Sequence, residues 1–339
     1  GVSHNKSILL TTSPVADVIV ISTGASLFHL EDLEIQVRVG SDRTASVLKA
    51  LDGQGMISNV RIVGWPNYNN GKIFTHDTAA AGNWVYNHIL VPGGVKWTYL
   101  FHLQEPSGGT VGSIHVSDSL ISGTITWSDA GIIMDTGVDT FTVVNSEIPR
   151  FVTKNSLGGQ APRWVHVSSS YIEAGVAGIP SGIGLDLQAV RDFNFVNSYI
   201  ATSEKAVVVG PNANHVTISN SHIVNMLREA VVIKPGSTGT KILDNTIEDT
   251  GSEPNGNYDA ISVEGGASDF RISGNTFRSG HSQKPRRQVT VAPGSSNRYE
   301  ISSNNFGISG TDYATADMLD SGTGADKTII GNIPSSTTR

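Results

Sequence analysis

The sequence predicts an all-β solenoid of roughly 10–12 stacked coils, with three short strands in each coil. Three observations lead to this fold class. Pairs of apolar residues five positions apart recur at spacings in the twenties, a short β-branched stretch precedes most pairs, and 37 glycines in 339 residues indicate many tight turns. No stretch of about 11 or more residues has the period of an amphipathic helix.

The apolar pair defines the repeat. Ile218 and Ile223 enclose a small polar corner in "VTISNSHI", and Ile272 and Phe277 enclose another in "DFRISGNTF". The remaining pairs are Ile57/Ile62, Val85/Leu90, Val116/Ile121, Val143/Ile148, Val167/Ile172, Phe195/Ile200, Ile242/Ile247 and Ile301/Phe306, with Phe28/Leu33 as an eleventh candidate. One coil cannot bury its own apolar face, whereas a stack of coils can, so the repeat predicts stacking.

Asparagine recurs at the corner between the two apolar residues of a pair. The six positions are Asn145, Asn197, Asn220, Asn245, Asn275 and Asn304. Asparagine side chains hydrogen-bond to nearby backbone and tolerate turn conformations. We therefore expect these residues to satisfy buried backbone groups where the chain bends.

Composition limits the partners. The net charge is −7 and there is no long basic block, which argues against nucleic acid as the main partner. The chain contains no cysteine and no run of about 18 apolar residues, so neither disulfides nor membrane insertion is predicted. No metal-ligand spacing and no cofactor motif is present, and we predict no metal and no cofactor.

The repeats resemble the right-handed parallel β-helix of the pectate-lyase-like superfamily, over about residues 28–333. Polysaccharide lyases and hydrolases, bacterial adhesins and bacteriophage tailspikes use this fold, so the fold alone does not choose a function. We expect residues 1–339 to form a single β-helix domain. Because neither end carries a capping helix or a trimerisation tail, we also expect the domain to be a fragment of a longer chain.

Equivalent positions of successive coils form columns that are read directly from the repeat. The middle of the first strand reads Ile133, Asp186, Val208, Val232, Ser262 and Thr290. Val208 and Val232 would form an apolar patch on an outward wall, which predicts a subunit interface. Coverage of the patch by the protein's own loops is the alternative.

A second column, in the third strand, reads Tyr171, Tyr199, His222, Thr246 and Thr276. Outward tyrosines on adjacent coils offer flat amphipathic faces to sugar rings. The alternative is simple aromatic packing between neighbouring strands.

Glu229 and Asp259 precede equivalent strands, so they are expected one coil apart on the same face. Hydrolysis of a glycosidic bond usually requires two carboxyl groups about 5–9.5 Å apart, and residues in neighbouring coils can supply such a separation. The column of Glu229 and Asp259 continues to Arg287, with Arg228 and Arg286 beside it. Arg228 and Arg287 are candidate substrate ligands, and Glu248 is expected to approach with Glu253 from the following loop. A surface ion-pair ladder would have the same pattern.

Asp186 is a second candidate for catalysis because it is the one charge in an otherwise apolar or neutral column. Glu173 and His166 lie on neighbouring coils and would complete this mid-chain site. The calcium-and-arginine pattern of pectate lyases is not evident, since "QKPRRQ" is only superficially similar to it.

The absence of cysteine, the uncapped ends and the irregular coil length resemble a bacteriophage tailspike. The resemblance implies a homotrimer on the virion tail, outside the cell, that binds and hydrolyses a bacterial surface polysaccharide, either capsule or O-antigen. A glycoside hydrolase is favoured over a lyase. The alternatives are a secreted monomeric polysaccharide lyase or hydrolase and a non-catalytic β-helix adhesin or structural spike.

Overall fold

The structure is a computed structural model. It describes residues 7–22, 27–51, 53–77, 82–104, 110–121, 126–127, 131–135, 137–154, 160–173, 182–251, 253, 257–280, 284–308, 311–333 and 337–338. The described residues are all-β and contain no helix, which confirms the predicted fold class. None of these ranges includes a helix long and apolar enough to cross a membrane.

The chain is a parallel β-solenoid of about 10 turns and divides into two compact units, Gly1–Trp164 and Val165–Arg339. In each unit three strand positions recur along the chain, which we call the first, second and third strands of a coil. Each strand pairs in parallel with its equivalent in the next coil. A residue therefore faces its counterpart one coil away, about 4.8 Å distant.

In unit 1 the first strands are Ile19–Ile21, Ser46–Ala50, Lys72–Asp77, Tyr99–Gln104, Ile132–Met134 and Phe151–Thr153. The second strands are Phe28–Glu31, Thr110–Ser117 and Gly137–Val144, and the third strands are Ser7–Thr11, Leu33–Val37, Leu120–Ile121 and Glu147–Ile148. Gly55–Val63 and Trp84–Val91 run through both the second and the third position. Lys96–Trp97 and Thr126–Trp127 form a separate two-stranded sheet.

In unit 2 the first strands are Val231–Ile233, Ile261–Val263, Arg287–Gly294, Ala316–Gly322 and Thr337–Thr338. The second strands are Lys241–Leu243, Arg271–Ser273, Tyr299–Ser302, Lys327–Ile330 and, from Val165 onward, Arg163–Ser168. Ile183–Val196 and Lys205–Ser219 run through both the first and the second position. The third strands are Tyr171–Glu173, Tyr199–Ser203, His222–Met226, Thr246–Glu248 and Thr276–Arg278.

Aromatic rings pack against one another in the interior of unit 1. Phe74 lies 4.6 Å from Tyr86 and 5.1 Å from Phe101, measured between ring centroids. His76 lies in the same interior, and its Nε2 is 2.7 Å from the Tyr86 hydroxyl. Burial lowers the pKa of His76 to about 3, so this imidazole is neutral at physiological pH.

The predicted anchors of unit 2 lie in its interior. The predicted anchors Ile218, Ile223, Ile242 and Ile272 are fully buried, and Phe277 is nearly so. These side chains stack directly on their counterparts in neighbouring coils. The two apolar residues of a pair are five positions apart because they are the inward positions on either side of a corner.

One anchor pair is displaced from its prediction by one residue. Tyr86 and Val91 are buried, whereas Val85 and Leu90 are not. His88 has a φ of 50° and marks the corner of this coil, so Tyr86 and Val91 are the inward residues on either side of it. The eleventh coil is also present. In it Leu30, and not Phe28 as predicted, pairs with the anchor residue Ile57 of the next coil.

The corners of unit 2 use two successive residues with different roles. The first residue has a positive φ, as at Asn197 and Asn220 with 49° each. The second is buried and bonds along the stack: the Asn245 N–H donates to Asn275 Oδ1 at 3.0 Å, and the Asn275 N–H donates to Asn304 Oδ1 at 3.0 Å. Their amides also donate to backbone carbonyls of the preceding coil, as from Asn275 Nδ2 to Ile242 at 2.9 Å.

The corner prediction is therefore correct for Asn245, Asn275 and Asn304. It is wrong in mechanism for Asn145, Asn197 and Asn220, which supply the left-handed backbone conformation instead. In those coils the following serine fills the buried position, and the Ser198 N–H donates to Ser221 Oγ at 3.1 Å.

The predicted apolar interface patch is not on the surface. Val208 pairs with Val232 as expected, but only 4% and 2% of these residues are exposed within the single chain. Whether an outward position is covered depends on loops, which the column pattern does not describe. Val208 and Val232 consequently give no support to a subunit interface.

Candidate functional site

A ladder of polar and aromatic side chains follows the third strands of unit 2. Register places Tyr171 against Tyr199 and Tyr199 against His222. The two tyrosine rings stack with centroids 5.3 Å apart and an interplanar angle of 27°, and the His222 ring meets Tyr199 edge-on at 5.0 Å. This column is the one that the repeat predicts, and its side chains are all partly exposed.

Glu248 ends the ladder. It belongs to strand Thr246–Glu248, whereas it was expected in the loop that follows this strand. Its Oε2 lies 3.1 Å from His222 Nε2, with about a third of each side chain exposed. Burial raises the pKa of Tyr199, and the negative charge of Glu248 raises it further, so the phenol stays protonated and can donate a hydrogen bond.

The two predicted carboxylates lie in adjacent coils of unit 2. Val231 faces Ile261 across neighbouring first strands, and Glu229 and Asp259 each come two residues before these positions. The Ala230 N–H donates to the Ala260 carbonyl at 2.8 Å, which fixes the same register immediately beside them. Their backbones are thus one coil step apart, about 4.8 Å.

Both carboxylates are held by cations. Asp259 receives two hydrogen bonds from Arg286, at 3.0 Å from Nε and 2.7 Å from Nη2, and only 4% of Asp259 is exposed. Glu229 Oε2 lies 3.2 Å from Lys205 Nζ, but that oxygen is buried and the pair is not aligned as a hydrogen bond. A catalytic pair was expected on an open face of the coils, and Asp259 is buried instead.

The proposed substrate arginines are also engaged within the chain. Arg228 donates to Glu204 at 2.6 Å and to Glu253 at 2.7 Å, and Arg287 lies 4.0 Å from Asp259. The cluster as a whole consists of the cations Lys205, Arg228, Arg286 and Arg287 and the anions Glu204, Glu229, Glu253 and Asp259. These charges cancel, so the cluster offers no net attraction to an acidic glycan.

Asp259→Asn should lower the free energy of unfolding by about 2 kcal/mol. Breaking a fully buried pair costs about 3–5 kcal/mol, and the cost is smaller here because 39% of the Arg286 side chain is exposed. Urea unfolding measures the change. Glu300→Gln breaks the more exposed pair of Glu300 with Arg271 and should cost no more than about 0.5 kcal/mol. Equal effects of the two substitutions would contradict the buried-pair interpretation.

The second predicted site is not assembled. Asp186 lies on a first strand, His166 on a second strand and Glu173 on a third strand, so the three residues occupy different sides of their coils. Asp186 does face Val208 of the next coil, as expected, and accepts a hydrogen bond from Gln188.

A charged cluster in unit 1 was not predicted from the repeat. Lys49 Nζ lies 3.0 Å from Asp77, and His102 Nε2 lies 3.1 Å from Asp135. All four residues belong to consecutive first strands or directly follow one. The column that begins at Ile133 leads back to His102, Thr75 and Lys49, so extending it toward the N-terminus would have found them.

Among the described residues, no three His, Cys, Asp or Glu side chains are grouped so as to hold a metal ion. No protein-family model matches the sequence, and a search of curated proteins finds no match. The fold itself defines the class: this chain is a parallel β-helix protein.

Similar solved structures include the A-module of a mannuronan C-5 epimerase from Azotobacter vinelandii, with 12% identity, a TM-score of 0.37 and coverage of 97% of this chain and 91% of that chain. The Dettilon tailspike protein has 10% identity and a TM-score of 0.35, over 93% of this chain and 61% of its own. The catalytic unit of a GH87 α-1,3-glucanase from Streptomyces thermodiastaticus has 12% identity and a TM-score of 0.36, over 90% and 60%. These similarities carry no argument about the activity of this chain.

Proposed function

We propose that this chain is the polysaccharide-binding β-helix of a tailspike-type protein and that the polysaccharide lies along the ladder of Tyr171, Tyr199, His222 and Glu248. The stacked pair of tyrosines that continues into a histidine–glutamate pair is the observation that carries the proposal.

The ladder has the chemistry that a sugar chain needs. Sugars present apolar C–H faces and polar hydroxyl rims, and tyrosine combines an apolar ring with a hydroxyl. His222 and Glu248 add an imidazole and a carboxylate at the next two coils. Because coil stacking fixes the spacing and ring contacts fix the orientation, little conformational entropy is lost on binding.

The natural ligand in this proposal is a bacterial surface polysaccharide, either capsule or O-antigen, and the protein acts outside the cell on a virion tail as a homotrimer. The partly exposed ladder and a β-helical repeat whose irregular coil length and lack of cysteine resemble those of tailspikes support this assignment. A mass measurement on the intact protein distinguishes it from the secreted monomeric enzyme.

Tyr199→Ala should weaken polysaccharide binding by at least about 10-fold, because it removes the central ring and breaks its contacts with both neighbours. Tyr199→Phe keeps the packing and removes only the hydroxyl, so we expect a loss of a few-fold. Binding is measured by titration against a panel of capsular and O-antigen polysaccharides.

Trp164→Ala is the matched control, since Trp164 is an exposed aromatic residue outside the ladder. It should leave binding unchanged. If Tyr199→Ala lowers thermal stability while every polysaccharide of the panel binds as before, the ladder is aromatic packing and the proposed binding role is wrong.

Hydrolysis is a second candidate function, favoured by the spacing of Glu229 and Asp259. A backbone step of about 4.8 Å is close to the 5–5.5 Å carboxyl separation of retaining glycosidases. Their environments also differ: Asp259 accepts two hydrogen bonds from Arg286, whereas one oxygen of Glu229 is buried without a hydrogen bond, and this mechanism assigns the nucleophile to Asp259. Glu229 is then the acid/base.

A further inference from the structure

Two rows of polar residues run along the first strands of unit 1. One row contains Lys49, Thr75 and His102, each facing the next across a coil step. In the other, Asp77 faces Gln104, and Asp135 follows on the next coil, where its N–H donates to the Leu103 carbonyl. The two rows are joined by the ion pairs Lys49–Asp77 and His102–Asp135.

An aromatic ring is fixed beside these rows. Tyr99 packs on the buried pair Ile133 and Val152. Its ring centroid lies 4.7 Å from that of His102 and 6.0 Å from Lys72 Nζ. Burial lowers the pKa of Lys72, and the charge of Asp77 opposes this shift. The ring, the imidazole and the ammonium group are therefore held together at a partly buried surface.

We propose that Lys49, Asp77, Tyr99, His102 and Asp135 form a second glycan site, which takes a neutral polyhydroxylated sugar chain. The site is separate from the ladder of unit 2 and does not depend on the function proposed for it.

The charge of the site selects a neutral ligand. The positive charges of Lys49 and Lys72 are balanced by the negative charges of Asp77 and Asp135, so an anionic chain gains no net attraction. Sugar hydroxyls, by contrast, donate to carboxylates and accept from ammonium groups. A few convergent polar groups beside an aromatic ring are the usual composition of a small-molecule site.

The polar groups are preorganised, and Lys49 and the two aspartates are partly exposed. About 30% of the Lys49 side chain, 19% of the Asp77 side chain and 17% of the Asp135 side chain are exposed, whereas the His102 side chain is 10% exposed and is held by Asp135. The row that contains these residues becomes apolar one coil later, at Ile133 and Val152, where both residues are 1% exposed. The polar residues are thus confined to one stretch of the strand column, which is the arrangement of a site.

The test uses Tyr199→Ala as the parent protein, which disables the unit 2 ladder. Calorimetric titration is performed with maltohexaose, laminarihexaose and mannohexaose as neutral probes and with hexagalacturonate as the acidic probe. At least one neutral probe should bind, and Asp77→Asn combined with Asp135→Asn should weaken it at least about 10-fold, because hydrogen bonds to charged groups are lost. Gln104→Ala breaks no ion pair and should weaken binding by a few-fold.

Asp139→Asn is the matched control, because it breaks another ion pair of unit 1, with Arg163. It should leave binding unchanged, and thermal unfolding verifies that each variant is folded. The proposal is overturned if no neutral probe binds, if hexagalacturonate binds more tightly than all of them, or if both Gln104→Ala and the double variant bind like the parent. If the unit 1 variants lose binding, the second glycan site is supported even if Tyr199 has no role in binding.

Discussion

Asn275→Ala should lower the free energy of unfolding by about 4 kcal/mol, the largest stability effect that we expect in this chain. Asn275 is fully buried, and its Oδ1 accepts from both the N–H and the side-chain amide of Asn245. Its Nδ2 donates to the Ile242 carbonyl and to Asn304 Oδ1. Alanine leaves several buried groups without these partners, at about 1–3 kcal/mol for each group. Urea unfolding followed by circular dichroism measures the loss.

Asn275→Ser should fall between alanine and the native residue. Ser198 and Ser221 occupy the equivalent corner in earlier coils, where Ser221 Oγ accepts the Ser198 N–H. A serine at position 275 can therefore still accept from Asn245, but it cannot reach the Ile242 carbonyl. Asn220→Gly is the control: with a φ of 49° and an exposed side chain, glycine should cost less than about 1 kcal/mol. Equal stability of the alanine and serine variants would refute the ladder as the cause.

The fold was predictable because one rule is repeated in every coil. Ile242 and Ile272 stack directly, as the period-five pair predicts, and the same register brings Glu229 and Asp259 to neighbouring coils. Residues that align between two successive coils of the sequence are separated by one coil step in the structure. Columns of residues could thus be read without knowing any loop.

Burial and partner choice could not be read in the same way. Val208 is outward by strand alternation, and Asp259 has a carboxylate side chain, yet only 4% of each residue is exposed. The sequence placed Arg287 in the column of Asp259, yet the two hydrogen bonds come from Arg286, the residue before it. Side-chain length and direction determine which arginine pairs with Asp259. The column pattern gives no information about either property.

The unit 1 cluster was missed for a related reason. The outward column was read only from Ile133 onward, although the same register continues back through His102, Thr75 and Lys49. The ion pairs Lys49–Asp77 and His102–Asp135 also join two different rows, and a single column does not show contacts between rows.

Glu229→Gln should slow polysaccharide hydrolysis by at least about 10²-fold if Glu229 and Asp259 are a retaining pair, because glutamine cannot transfer the proton to the leaving oxygen. Sizing of the products from the polysaccharide panel measures the rate. The released sugar should keep the anomeric configuration of the substrate, as the retaining mechanism requires. An unsaturated product that absorbs in the ultraviolet would instead indicate a lyase and remove the two-carboxylate mechanism.

Stability and catalysis can be separated at Asp259. Asp259→Asn is expected to destabilise the fold by about 2 kcal/mol, because a buried pair with Arg286 is broken, so its activity must be corrected for the folded fraction. Glu229→Gln leaves that pair intact and is the cleaner test. Asp186→Asn is the comparison: if it alone is inactive, the site lies in the column of Asp186 and Val208. If the native chain leaves every polysaccharide at full size, hydrolysis is wrong, the charged cluster is an ion-pair ladder, and the protein is a non-catalytic binder.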